Sequence, residues 1–552
     1  MHSFHFISGL MLAAGILYGQ NFRYDPEDWY IITYPGKITA FTEDNFTMFI
    51  ATENGIYSFD KVSEDIRYNY DLSVPFQTRE IRHFFIDPYR DYYWIITDDE
   101  ISYKAAVSYQ WREMSLQNTG IFTPYEIDDI GASPEYIWLR TGEDKIPFHP
   151  YNALPASWKE AEGEKGQIQW GNSYFGYSGD RIDLFWYSLE EDWDISLGQI
   201  FPNGKMGHII SNKDGVELFT TVSFEDREGN VWIGTDGGYI LKGGKYSSRL
   251  QLFSFAAGLP HITLTHVDNL GNTWFADSEF KRLGEINPVE KGAFSVPSLF
   301  LSRWVESENH WTHYYTSESD IIKSRGINAM HSVGSDLYLG TMYGLLMLDI
   351  FEEEWSLIST VSGLSDEAVW DMVEWDESLY LATARGINEI SIKDNSVIPI
   401  ENAGHASLAN QNIYDLEIDS TNLYIAAESG LYKMDWEEEA LSLLSNRVFK
   451  TISLEKEGIS GNDGQLILLK EESEHIYLHQ TTTYTFCDNF LWNSLGSSLT
   501  LTDTITHQSW EYGEKDGIPG KTVYDIQCDD SWVQFLTSNG ITYYNWRKYH
   551  EN

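Results

Sequence analysis

Hydrophobic and polar positions alternate along most of this chain in short runs, and the runs recur. One unit has an alternating apolar strand, a small residue, Thr or Ala, two variable residues, a Gly, and a second apolar strand. It appears as Met48-Phe-Ile-Ala-Thr-Glu-Asn-Gly55-Ile-Tyr and as Val231-Trp-Ile-Gly-Thr-Asp-Gly237-Gly238-Tyr-Ile. It returns at Leu337-Tyr-Leu-Gly-Thr-Met-Tyr-Gly344, Leu379-Tyr-Leu-Ala-Thr-Ala-Arg-Gly386, Leu423-Tyr-Ile-Ala-Ala-Glu-Ser-Gly430 and Val533-Gln-Phe-Leu-Thr-Ser-Asn-Gly540. Weaker copies start at Tyr93, Tyr136 and Thr273. Period-two alternation on both sides of a Gly predicts a β-hairpin, with the Gly supplying the positive φ of a tight turn.

A second element precedes many hairpins: an aromatic strand, Gly-Leu or Gly-Ile, then an apolar strand running into Asp. Trp355…Gly363-Leu364…Val369-Trp-Asp371 and Trp510…Gly517-Ile518…Val523-Tyr-Asp525 are examples, and Phe253…Gly258-Leu259 opens like them. Each unit therefore holds four strands, and the spacing of the turn glycines is about 40–45 residues, the period of a propeller blade. The expected fold is all-β: tandem β-propellers of four-stranded antiparallel blades, about 12 blades in all, more than one ring ordinarily holds. The longest gap between firm copies, Ser278 to Gly344, contains Pro288 and Pro297. It sets the expected boundary: residues 20–290 for the first propeller and 291–552 for the second. Between Gly430 and Gly540 both Ile476-Tyr-Leu and Leu491-Trp-Asn remain candidates for the hairpin strand. Closure of the second ring has two candidates beside Ile541–Trp546. The first is His310-Trp-Thr-His-Tyr-Tyr315; the alternative is a crossover by residues 29–34.

Asp226-Arg-Glu-Gly-Asn-Val-Trp-Ile-Gly-Thr-Asp-Gly-Gly closely resembles the two-component-regulator propeller repeat. The opening, from Asp28-Trp-Tyr to Phe49-Ile-Ala-Thr-Glu-Asn-Gly-Ile-Tyr-Ser-Phe-Asp60, also resembles the N-terminal propeller of the PorZ-like component of the type IX secretion system. The resemblance covers most of residues 24–548. It implies a sensor-ectodomain-like or secretion and cell-surface accessory protein.

Composition narrows the function further. There are 84 acidic against 37 basic residues, for a net charge of −47. Such a polyanion is repelled by nucleic acid and anionic membranes, so no nucleic-acid partner is expected. Residues 7–18 are an apolar run too short to span a membrane, ending at Gly19-Gln20. They read as a signal peptide, residues 1–19, and the expected location is exported: periplasmic, outer-surface associated or secreted. No later run is long and apolar enough for a transmembrane segment.

No local motif carries catalysis. Gly520-Lys-Thr lacks its upstream Gly, which is Lys515. His310, His313 and His331 read as strand and loop histidines. Asp226 and Asp268 sit in Asp-x-x-Gly-Asn turns with too few oxygens for calcium. No metal and no cofactor is expected. The aromatic stripe Trp94, Trp138, Trp232, Trp274, Tyr338, Tyr380 and Tyr424 recurs once per blade, as packing between blades requires. Cys487 and Cys528, each before Asp and in adjacent blades, are a candidate disulfide.

The reading that remains is a non-enzymatic binding module for a protein, peptide or glycan ligand, with a cell-surface or secretion-machinery partner. The alternative is a lyase or hydrolase whose channel site is assembled from many blades. The candidate binding residues are the variable hairpin tips: Glu53, Asp98, Asp236, Asp277, Tyr343, Arg385 and Glu428.

Overall fold

The computed structural model describes residues 28–550 apart from 77–78, 98–99, 109, 116–126, 143, 172–173, 176–183, 190–192, 201–205, 245, 279–297, 324–325, 399–406, 438–439, 456–457, 463–464, 471–472, 479–480, 497, 514–515, 521 and 530. The expected signal segment and Asp98 lie outside the described residues.

The hairpins form where alternation predicts them. In the blade of residues 329–358, Ala329–Val333 pairs Asp336–Thr341, which pairs Gly344–Asp349, which pairs Glu354–Ile358. The first strand is innermost and the last is outermost. Gly344 has φ +120°, and a Cβ there would meet the Ile358 carbonyl, so both conformation and space demand glycine. The described residues form eleven sheets, ten of four strands and one of eight. The expected figure was about twelve.

Seven sheets make a closed ring. In order they span residues 264–315, 329–358, 369–398, 413–445, 451–478 and 483–512, and the seventh holds the strands of 523–544. Shared apolar cores join most neighbours: Trp274 with Leu339, Tyr338 with Val369, Tyr380 with Leu416, Ala426 with Ile452, and Trp492 with Phe535. Between the fifth and sixth sheets the Tyr484 hydroxyl donates to Ser460 Oγ at 3.1 Å. Leu536 and Ile541 then pack with Phe275 and Trp304, which returns to the first sheet. The outermost strand of the seventh blade is Trp29–Thr33, antiparallel to Gly540–Tyr544, with Trp29 opposite Tyr544 and Thr33 opposite Gly540. The crossover alternative is therefore the one adopted. His310–Tyr315 is instead the outer strand of its own sheet, paired to Leu299–Val305.

A smaller set of blades lies between that closing strand and the rest of its ring. Sheets at residues 38–68, 83–115 and 129–170 follow one another, then the eight-stranded sheet within 174–253. The core runs from Phe49 to Phe84, from Trp94 to Ile130, and from Val222 and Trp232 back to Ile38 and Phe41. The boundary expected near residue 290 is corrected by these pairings. Leu264–Val267, Thr273–Ala276, Leu299–Val305 and His310–Tyr315 form one sheet. Thr273–Ala276 and Leu299–Val305 are the second and third strands of that sheet, so residue 290 falls inside a blade. Leu491 proves to belong to the hairpin strand Phe490–Leu495, and Ile476 to the outer strand Ser473–Leu478 of the preceding blade.

Candidate functional site

The aromatic stripe is spent on packing. Trp94, Trp138, Trp232, Trp274, Tyr338 and Tyr380 are all buried. Tyr424 is half-buried, its hydroxyl donating to Asp419 at 3.0 Å. The Asp-x-x-Gly-Asn turns are structural as well. Asp268 accepts the backbone N–H groups of Leu270 and Asn272, the Asn272 amide, and the Trp274 indole N–H at 2.8 Å. Asp226 repeats the arrangement with Trp232 at 2.9 Å. The indole bond was not read from the sequence, although Asp-x-x-Gly-Asn-x-Trp sets its spacing.

The hairpin-tip candidates do not converge on one site. Asp277, Tyr343, Arg385 and Glu428 stand at the tips of four consecutive blades of the seven-membered ring. Arg385 Nε lies 3.8 Å from Asp366. The Asp277 carboxylate is 3.5 Å from the Thr263 hydroxyl, which donates to it. The Glu428 N–H donates to the Asn412 carbonyl at 2.8 Å. Glu53 and Asp236 instead flank residues 34–37, the linker from the closing strand into the smaller ring. The Glu53 N–H donates to the Lys37 carbonyl, and both carboxylates help burial to raise the Tyr34 hydroxyl pKa.

The histidines also separate. His313 is half-buried between Ser254 Oγ, 2.6 Å from Nε2, and Ser302 Oγ, 2.9 Å from Nδ1. Burial pushes its pKa down to about 3, so it stays neutral. His331 pairs with Glu374 at 2.9 Å on the next blades. Among the described residues no group of three or more His, Cys, Asp or Glu side chains is arranged to hold a metal. Cys487 and Cys528 end innermost strands of adjacent blades and are joined by a disulfide, with Cα atoms 6.2 Å apart.

The inner strands of the large ring carry a second pattern. Register shifts at Val369/Asp371, Ile413/Asp415 and Val523/Asp525 place one Asp per strand in the same position. Asp371 accepts the Leu416 N–H at 2.9 Å, and Asp415 accepts the Ile452 N–H at 2.7 Å, so each ties its blade to the next. Glu417 and Glu455 lie alongside. Burial raises both to about 7, with Asp371 and Glu455 adding repulsion at Glu417. Asp415 is raised strongly by burial and by Asp371. Carboxyls raised to about 7 are about half protonated at neutral pH.

The cavity that fits a ligand is in the smaller ring, on the face away from the hairpin tips. Ile38 pairs near the tip and Glu43 at the opposite end of its strand. The cavity is about 700 Å³ and gathers the far ends of innermost strands: Thr42 and Glu43, Phe85 and Ile86, and Ser223 to Glu225. The strand Gln169–Trp170 completes it. That is the size range of small-ligand sites. Gly131 admits the last strand, because a Cβ there would lie 2.7 Å from the Gln169 carbonyl and 2.9 Å from the Trp170 ring. Arg140 and Lys145 sit over the Trp170 ring at 5.1 and 5.6 Å.

The charges in the wall are committed. Glu43 accepts from Lys61 and from the Arg227 N–H, the latter at 2.8 Å. Asp226 is the turn carboxylate described above. Arg227 donates to Asn45 at 3.0 Å. No motif marked this site, because its pieces are dispersed from residue 42 to residue 227.

No protein-family model matches the sequence, and no curated protein matches it. In structure the chain is similar to PorZ, an essential surface component of the type IX secretion system of Porphyromonas gingivalis. The TM-score is 0.52 at 10% identity, covering 94% of this chain and 87% of that one. It is also similar to the extracellular domain of a protein assigned as a hybrid two-component system of B. thetaiotaomicron, with TM-score 0.30, 11% identity, and 94% and 83% of the two chains. Identity this low speaks to fold alone, and the first match carries it. Among the described residues no helix is long and apolar enough to cross a membrane.

Proposed function

We propose that this chain is an exported, non-enzymatic propeller protein that binds a ligand or partner through the cavity of its smaller ring. On this reading it serves as a secretion or cell-surface accessory, or as a detached sensor-like ectodomain. The observation that carries it is the cavity itself, a site of ligand size whose carboxylates are engaged with neighbouring donors. Groups so committed orient a wall; they are not poised to move protons. The PorZ-like fold supports the exported setting, and the apolar run at residues 7–18 supports secretion.

The test is affinity capture from a periplasmic or surface fraction with the wild-type chain and with Ser223→Trp, which fills the cavity. A partner held by the wild type and lost by the variant is the expected result. Capture unchanged by the variant would move the site elsewhere. Finding the native protein in the cytoplasm would remove the export half of the reading.

A further inference from the structure

We infer that the smaller-ring cavity takes an extended, uncharged peptide segment, which pairs its main chain with Trp170 and buries a large apolar side chain. The inference rests on the reading of this cavity as the binding site and adds the ligand's chemistry.

Three observations meet here. The first is a strand edge. Gln169–Trp170 is the terminal strand of its sheet, paired only to Gly131 and Ala132. The Gly171 N–H donates to the Ile130 carbonyl at 2.9 Å. In the alternation of an antiparallel ladder, the adjacent Trp170 then turns its own N–H and C=O away from that partner. Among the described residues no strand pairs with this other edge. An extended peptide can add there as a further strand, with main-chain bonds supplying affinity.

The second is the wall. Ile86, Ile168 and Trp170 are half-buried residues of the cavity lining, and Phe85 and Phe224 reach it from the buried inter-blade cores, so an apolar side chain is the one rewarded there. The third is what the polar groups are already doing. Glu43 is held by Lys61 and the Arg227 N–H. Asp226 has donors on both oxygens. Thr42 Oγ1 accepts the Ile86 N–H at 3.3 Å. A sugar would have to satisfy its several hydroxyls on little more than the Trp170 main chain and Ser223, and hydroxyls buried beyond those are costly. A cationic or anionic side chain would be desolvated without a dedicated counter-ion. Glu225 is exposed, where solvent screens it.

The experiment titrates the full chain with the fluorescein-labelled peptide acetyl-Gly-Phe-Val-Phe-Gly and follows polarisation. Three arms accompany it: the same peptide N-methylated at its central residue, versions with Lys or Glu for both Phe, and unlabelled maltohexaose as competitor. The expected result is saturable binding of the uncharged peptide. N-methylation, either charge replacement, and Ser223→Trp should each weaken it at least tenfold. Trp170→Ala should weaken it as well, and the melting temperature of each variant reports whether it has folded. Equal binding of the N-methylated peptide would overturn main-chain pairing. Preference for the Lys or Glu peptide, or absence of peptide binding, would overturn the ligand class. Binding of maltohexaose in place of peptide would sink this inference while leaving the cavity as a binding site. Binding of neither, with a captured partner insensitive to Ser223→Trp, would sink both.

Discussion

At the scale of single residues, buried polar side chains do more to specify this protein than its exposed ones. Asp268 satisfies four donors, including an indole N–H in a core where nothing else reaches it. Asp268→Ala leaves those buried donors unpaired, and we expect a loss of about 3 kcal/mol, read as a lower melting temperature. Glu417 makes the opposite kind of contribution. Its pKa is about 7 in the folded chain against an ordinary 4.5, so the folded state holds a proton that the unfolded state has released. The group therefore favours folding at low pH, and that contribution fades as pH rises from about 4.5 through 7. At about 1.4 kcal/mol per pKa unit the full swing is about 3 kcal/mol. We expect the wild type to lose melting temperature from pH 5 to pH 8 by clearly more than Glu417→Gln does. The general self-repulsion of a chain of charge −47 acts on both proteins, so their difference isolates the carboxyl. Equal slopes would show that Glu417 ionises freely. Sequence reading saw Asp371 and Asp525 as strand ends but not this cluster, because burial is a property of the ring.

At the scale of elements, hairpins were the most legible feature and inter-blade joints the least. Gly55, Gly344, Gly386, Gly430 and Gly540 all take positive φ at the turns their spacing marks. A tight turn is a local demand, so it leaves a local signature. The 451–478 blade was obscure because Gly458–Asn462 carries Ser and Gly where other blades carry Tyr and Leu. The cavity was invisible for a related reason. Its walls come from the far ends of strands in several sheets, while the sequence advertises the opposite face. Gly540 joins two roles, having φ +134° and standing where a Cβ would press on the Ile32 carbonyl of the closing strand. Gly540→Ala should therefore destabilise more than a positive-φ glycine alone, by about 3 kcal/mol, and expose the edge of Gly540–Tyr544. Concentration-dependent light scattering on heating would show it. The Cys487–Cys528 bond clips the blade that this strand completes to its neighbour. Its loop of 41 residues gives about 4 kcal/mol of chain-entropy stabilisation, which reduction should remove. A melting temperature unchanged by a reductant would count against a bond that holds the seventh blade.

At the scale of the whole molecule, the rings are nested in the chain and not laid end to end. The closing strand Trp29–Thr33 is made first, the smaller ring follows, and the strand's partner Gly540–Tyr544 comes almost last. Asp28 gathers the two ends: its carbonyl accepts the Asn545 N–H at 2.9 Å, and its carboxylate accepts Lys548 at 2.7 Å and the Tyr549 hydroxyl. A division at one residue number could not capture this, and a repeat search places blades without saying which ring owns each strand. The arrangement makes a sharp demand. Residues 260–550 alone contain six complete blades and a seventh lacking its outer strand, so they should expose the Gly540–Tyr544 edge and associate. The antiparallel register, Trp29 opposite Tyr544, is that of a hairpin. Joining residue 546 to residue 28 through a short Asn-Gly turn should therefore supply the missing strand in cis, with the smaller ring omitted. The fused chain, residues 260–546 followed by 28–34, should be monomeric in analytical ultracentrifugation and melt cooperatively. The same chain without 28–34 should aggregate. If both stay monomeric, ring closure does not depend on this strand; if both aggregate, the strand alone does not close the ring and the smaller ring contributes more than the strand that precedes it.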